Sequence, residues 1–145
     1  MPDKRISESG PPLVVERLLR ATNDHDLAAL VSCFAADYVN NTPAHPDRSF
    51  TGRAQVHANW QRLFAGIPDL RAELLDKTVD GETVWTEWRM HGTRPDGAAH
   101  ELVGAILFTV RGDEISRAAF YLEPVERDSG TVDDQIARVA NGATS

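Results

Sequence analysis

Apolar residues recur at helical spacing in the first half of the chain and alternate in the second. Val14, Val15, Leu18 and Leu19 predict an amphipathic helix from about Pro12 to Ala21. The polar run Thr22-Asn23-Asp24-His25 breaks it. Asp26 then suits an N-cap for a second helix carrying Leu27, Leu30, Val31 and Phe34 on one face. Asp37 to Pro43 reads as a short extended segment. Two prolines within Pro43-Ala44-His45-Pro46-Asp47 make that stretch a loop. A third helix starts near Gly52-Arg53, buries Val56, Trp60, Leu63 and Phe64, and ends at Gly66 and Pro68.

From Leu70 onward the period shortens to two. Strands are expected over Leu70 to Val79, Glu82 to His91, Ala99 to Val110 and Glu114 to Leu122. Asp80-Gly81, Arg94-Pro95-Asp96-Gly97 and Gly112-Asp113 separate them and carry hairpin-turn chemistry, so neighbours are antiparallel. The expected fold is therefore α+β: three N-terminal helices packed on a curved four-stranded antiparallel meander. Residues 1–11 read as a disordered leader and 12–125 as the domain. Residues 126–145 form a polar tail in which Val132, Ile136 and Val139 allow a short helix. The third strand is apolar on both sides, with Leu102, Ile106 and Phe108 on one and Val103, Ala105 and Leu107 on the other. Helices cover only one side, so a homodimer packed sheet against sheet is expected.

Composition narrows the function classes. A chain of 145 residues suits one domain, and 41% apolar with 26% charged residues is ordinary for a globular protein. A net charge of -7 and the lack of a dense basic run argue against nucleic acid. The single cysteine, Cys33, lies in an apolar stretch and reads as a small buried hydrophobe. Met1 to Pro12 lacks the apolar core of a signal peptide, and no segment reaches the roughly 18 apolar residues of a membrane span, so a soluble cytoplasmic protein is expected. No His or Cys pair has metal-ligand spacing and no glycine-rich phosphate cradle follows a strand, so neither a metal nor a nucleotide cofactor is expected.

Several runs resemble the SnoaL-like family of the nuclear transport factor 2-like superfamily. They are Asp26-Leu27-Ala28-Ala29-Leu30, Phe34-Ala35-Ala36-Asp37-Tyr38-Val39, Gly52-Arg53 and Gly112-Asp113-Glu114-Ile115. The resemblance covers roughly Leu13 to Glu126 and implies a cone-shaped fold with an internal hollow. The superfamily includes polyketide cyclases, ketosteroid isomerases, limonene-epoxide hydrolases and non-catalytic modules, so the fold alone assigns no reaction. Carried over residue by residue, the catalytic Arg and two Asp of the epoxide hydrolases fall on Trp88, Met90 and Phe120. The acid of the SnoaL-type cyclases also falls on Phe120. The base and Tyr of the ketosteroid isomerases fall on Asn41 and Leu18. None of these replacements can move a proton as the original groups do.

The same comparison, with strand alternation, selects the residues expected to face the hollow. Thr86, Trp88 and Met90 come from the second strand, His100, Leu102, Gly104, Ile106 and Phe108 from the third, and Ala118, Phe120 and Leu122 from the fourth. Asn41 should enter from the extended segment and Trp60 from the third helix. That lining suits a hydrophobic small molecule; alternatively Trp88, Met90 and Phe120 simply fill the cone. His100 is the candidate base, because imidazole titrates near neutrality, and Asn41 the candidate hydrogen-bond donor to an enolate. Trp60, Trp88, Met90, Leu102, Ile106, Phe108 and Phe120 are the candidate binding residues. The expected function is a small-molecule site for a hydrophobic carbonyl compound with cofactor-free isomerase- or cyclase-like proton transfer. The alternative is a non-catalytic protein that binds an apolar ligand or serves as a dimerisation module. Glu87, Arg89 and His91 share the opposite side of their strand and read as an ion-paired or solvated face.

Overall fold

The computed structural model describes residues 11–142. The expected disordered leader lies, but for Pro11, outside the described residues. Helix α1, Pro11–Asn23, buries Val14, Val15, Leu18, Ala21 and Thr22, which recur every three to four residues along one face. Two prolines occupy its first turn, where a missing N–H costs nothing. Helix α2, Leu27–Ser32, is capped by Asp26, whose Oδ1 accepts from Ala29 N at 3.1 Å. Phe34, expected on this helix, instead opens strand β1, Phe34–Asn41. A 3-10 turn at Pro46–Arg48 and the two-residue strand β2, Phe50–Thr51, lead into helix α3, Arg53–Gly66. Strands β3, Arg71–Asp80, β4, Thr83–Thr93, β5, Ala99–Arg111, and β6, Glu114–Pro124, follow, and helix α4, Val132–Ala140, ends the described chain.

The α+β class stands, but the element count is corrected. Among the described residues, four helices accompany one mixed six-stranded sheet in the order β2-β1-β6-β5-β4-β3. The four-stranded meander is its larger part. The extended segment after α2 became a full strand because it pairs in parallel with β6, a long-range partner that local patterning does not reveal. That pairing breaks register: Phe34 lies opposite Ile115, whereas Val39 lies opposite Arg117. Five positions of β1 thus span two steps of β6, and the surplus bulges.

Helices cover one side of the sheet. The core beneath them joins α1 to the strand halves nearest the β4–β5 and β5–β6 pairings, through Val84, Trp88, Ile106, Phe108, Val110 and Ile115. Gly104 sits mid-strand at φ +147, and a Cβ there would collide with the Tyr121 carbonyl oxygen, so only glycine allows β5 and β6 to approach so closely. On the free edge of the sheet, the Asn23 side chain acts as an extra strand residue. Its Nδ2 donates to Ala72 O at 3.0 Å and its Oδ1 accepts from Ala72 N at 2.7 Å. His25 completes this junction: Nε2 donates to Leu70 O at 2.8 Å, and the ring stacks on Phe64 at 4.4 Å. Replacing Asn23 with Leu orphans both backbone groups of Ala72. We expect a loss of about 1–3 kcal/mol in chemical denaturation, with the fold retained.

Candidate functional site

Between the helices and the far half of the sheet lies a cavity of about 300 Å³. Its apolar wall is built by Phe34 and Phe50 beside β1, by Val56, Trp60 and Leu63 of α3, and by Leu70. Met90 of β4, Leu102 of β5, and Phe120 and Leu122 of β6 close it from the sheet. The polar wall residues are Tyr38, Asn40, Thr42, Arg48, Asn59 and His100. Neither Asp nor Glu is among them.

Of the candidate binding residues, Trp60, Met90, Leu102 and Phe120 border this cavity. Trp88, Ile106 and Phe108 do not; they are 1%, 2% and 0% exposed and fill the cone's other half as core. Trp88 is fully accommodated there. Its indole Nε1 donates to Thr86 Oγ1, whose hydroxyl donates onward to Ile106 O at 2.6 Å, and its ring meets Phe108 edge-on at 6.3 Å. The cone is thus divided: one end is packed solid and the other is hollow.

Asn41 requires correction. It is absent from the wall, and Asn40 takes its place. Alternation carries the even-numbered positions inward, from Phe34 ahead of the bulge to Tyr38 and Asn40 after it, and leaves Asn41 on the other side. Tyr38, Asn40 and Thr42 therefore face the cavity together. The aromatic Tyr38 was the available signal, because its burial fixes the same parity for Asn40. The three form a hydrogen-bonded ladder: Tyr38 Oη donates to Asn40 Oδ1 at 2.8 Å, and Asn40 Nδ2 donates to Thr42 Oγ1 at 3.3 Å. Burial pushes the Tyr38 phenol well above its usual pKa, so it stays a neutral donor. Asn40 Nδ2 carries a second hydrogen that this ladder does not use.

His100, at the start of β5, borders the same cavity as Asn40. Desolvation by burial, and then the Arg94 guanidinium, hold its imidazole below the ordinary histidine pKa. It is therefore neutral at pH 7 and able to accept a proton. His45, in the loop after β1, points elsewhere: its Nε2 lies 3.0 Å from Glu123 Oε1. His57 is exposed on α3. Glu73, Arg89, His91 and Glu101 form an ion-paired cluster on the opposite side of the sheet, with Arg89 to Glu73 and to Glu101 each at 3.1 Å. Cys33 is buried, and that burial raises its thiol pKa. No helix among the described residues is long and apolar enough to cross a membrane.

This arrangement agrees with what comparison with known proteins finds. The sequence profile of the SnoaL-like domain matches residues 15–118, most of the chain. The protein belongs to the SnoaL-like family. Solved structures carry the same fold. A hypothetical protein with a ketosteroid isomerase-like fold from Catenulispora acidiphila DSM 44928, solved in complex with trimethylamine, is 25% identical over 76% of this chain and 85% of that one, with a TM-score of 0.67. A candidate polyketide cyclase from Sinorhizobium meliloti is 24% identical over 76% and 93%, with a TM-score of 0.60. A candidate SnoaL-like polyketide cyclase from Jannaschia sp. CCS1 is 19% identical over 78% and 85%, with a TM-score of 0.66. No curated protein matches the chain.

Within this SnoaL-like domain, His100 has a thermodynamic signature separate from any activity. Its folded-state pKa lies below the unfolded value of 6.5, so below that pH the unfolded chain binds the proton more readily. Stability is therefore lost as pH falls through and below 6.5. In His100→Gln this contribution is absent, and the drop in denaturation midpoint between pH 8 and pH 5 should be smaller than in the parent protein.

Proposed function

We propose that the cavity takes a hydrophobic small molecule bearing a carbonyl group, and that His100 moves a proton beside that carbonyl without a cofactor. The observation that carries this reading is the sharing of one apolar cavity by a neutral imidazole and a carboxamide with an uncommitted N–H. The imidazole nitrogen takes the proton from the carbon next to the carbonyl. The C–H electrons become the C=C bond of an enolate, whose oxygen accepts from Asn40 Nδ2. His100 then returns the proton to the same carbon or to a conjugated one. An apolar enclosure strengthens both interactions, because little water competes for them. Asn40 replaces Asn41 in this role.

A second reading is binding without chemistry. The absence of Asp and Glu from the wall favours it, since carboxylates are common bases for such proton transfers. Proton NMR of β-tetralone in deuterated water separates the two. Catalysed exchange at the α carbon, reduced about a hundredfold or more in His100→Gln, is the expected result. Bound β-tetralone exchanging only at the buffer rate selects the binding reading. In Arg94→Gln the acid limb of the exchange profile should move to higher pH, because a charge that disfavours the imidazolium has gone.

We also propose that the domain works as a homodimer through the outer side of the sheet. Trp85, Val103 and Tyr121, on three successive strands, are exposed there at 53%, 39% and 44%. The Arg89 ion pairs with Glu73 and Glu101 lie alongside this apolar strip. A second copy of the same face offers matching apolar and mixed-charge surface. Sedimentation at micromolar concentration should give a dimer, and Trp85→Glu a folded monomer. A monomeric parent protein excludes this assembly.

A further inference from the structure

We propose that the molecule held in the cavity carries an anionic head group, such as a carboxylate, and that Arg48 recognises it. This rests on the preceding reading of the cavity as a small-molecule site and adds the charge of the ligand. Among the described residues, Arg48 is the only permanently charged one of the wall. In a protein with a net charge of -7, the cavity therefore has the opposite electrostatic character from the chain as a whole.

Arg48 stands at the cavity's exposed rim, and its position is built rather than free. The 3-10 turn Pro46–Arg48 is closed by Arg48 N donating to His45 O at 2.9 Å and Ser49 N donating to Pro46 O at 3.0 Å. Ser49 Oγ accepts from Thr42 N at 3.0 Å across the base of the loop. His45 fastens the loop to β6 through Glu123. Glu123 is thus engaged by another residue, and Asp47 makes no ion pair with Arg48. Among the described residues the Arg48 guanidinium has no ion-pair or hydrogen-bond partner, so its donors remain for a ligand. A guanidinium held at the rim of an apolar chamber fits a carboxylate at the end of an apolar body, by charge-assisted hydrogen bonds. Preorganisation of the loop lowers the ordering cost of that contact.

The wall also offers aromatic rings in Phe34, Tyr38, Phe50, Trp60 and Phe120, and such rings can attract a cation instead. Three probes with the same alkyl chain decide between these charges: decanoate, decanol and decyltrimethylammonium, titrated calorimetrically at pH 7.5. Decanoate should bind at least about tenfold more tightly than decanol, and the ammonium more weakly than either. Arg48→Gln should abolish the preference for decanoate while leaving decanol affinity unchanged. Arg48→Lys should retain part of it, and Arg94→Gln, which removes a charge outside the wall, most of it. Equal binding of decanoate and decanol, or tighter binding of the ammonium, overturns the anionic head group but leaves a small-molecule cavity. A decanoate preference that survives in Arg48→Gln overturns the role of Arg48. Failure of all three probes to bind overturns the cavity reading and this inference with it.

Discussion

The parallel seam between β1 and β6 determines what the hollow can do. At its start Ile115 N donates to Cys33 O at 2.7 Å, and Phe34 takes its place opposite Ile115. The next paired position of β1 is Val39, opposite Arg117. The intervening chain must bulge, yet Tyr38, Asn40 and Thr42 keep the inward parity of Phe34. Phe34 and this ladder share one parity across the bulge, so Val39 and Asn41 stay on the other side of the strand.

Packing at the opposite end supplies the complementary constraint. Trp88 faces Gly104 across the β4–β5 pairing, and its N–H is satisfied by Thr86, so a large amphipathic ring is buried at no hydrogen-bonding cost. With Phe108 and Ile106 it occupies the volume nearest the β5–β6 turn. Met90 and Leu102 lie toward the other ends of β4 and β5, and Phe120 and Leu122, opposite Ile106 and Gly104, pack against that cluster while bordering the open space beyond it. Packed core and open cavity are both present beneath the helices.

What the chain reveals before folding follows from how local each signal is. Hairpin turns such as Asp80-Gly81 and Gly112-Asp113, and the apolar spacing of α1 and α3, depend on neighbours in sequence, and these elements were legible. The inward side of β4, of β5 and of β6 from Ala118 onward was legible for the same reason, since alternation carries parity along the regularly paired part of a strand. Which inward residues reach open space was not, because that depends on how helices and strands approach one another. The status of β1 depended on a partner more than seventy residues away, whereas Asn41 was placed by the resemblance and not by counting from Phe34 and Tyr38, which selects Asn40. His100 needed no such partner: it lies on a regular strand, and simple counting placed it on the inner side.

Trp88, Met90 and Phe120, which the resemblance sets at polar positions of the epoxide hydrolases, divide two tasks. Trp88 closes the packed end, whereas Met90 and Phe120 make the sheet wall of the cavity apolar. The remaining polarity is displaced to Tyr38, Asn40 and Thr42 on one side and to His100 and Arg48 on others. Tyr38 is kept neutral by burial, and His100 is kept neutral by desolvation and by Arg94. Among the described residues, a cavity made this way holds donors, one neutral base and one rim cation, but no carboxylate. Negative charge, whether on a ligand head group or developing on a carbonyl oxygen, is the charge such a wall can stabilise.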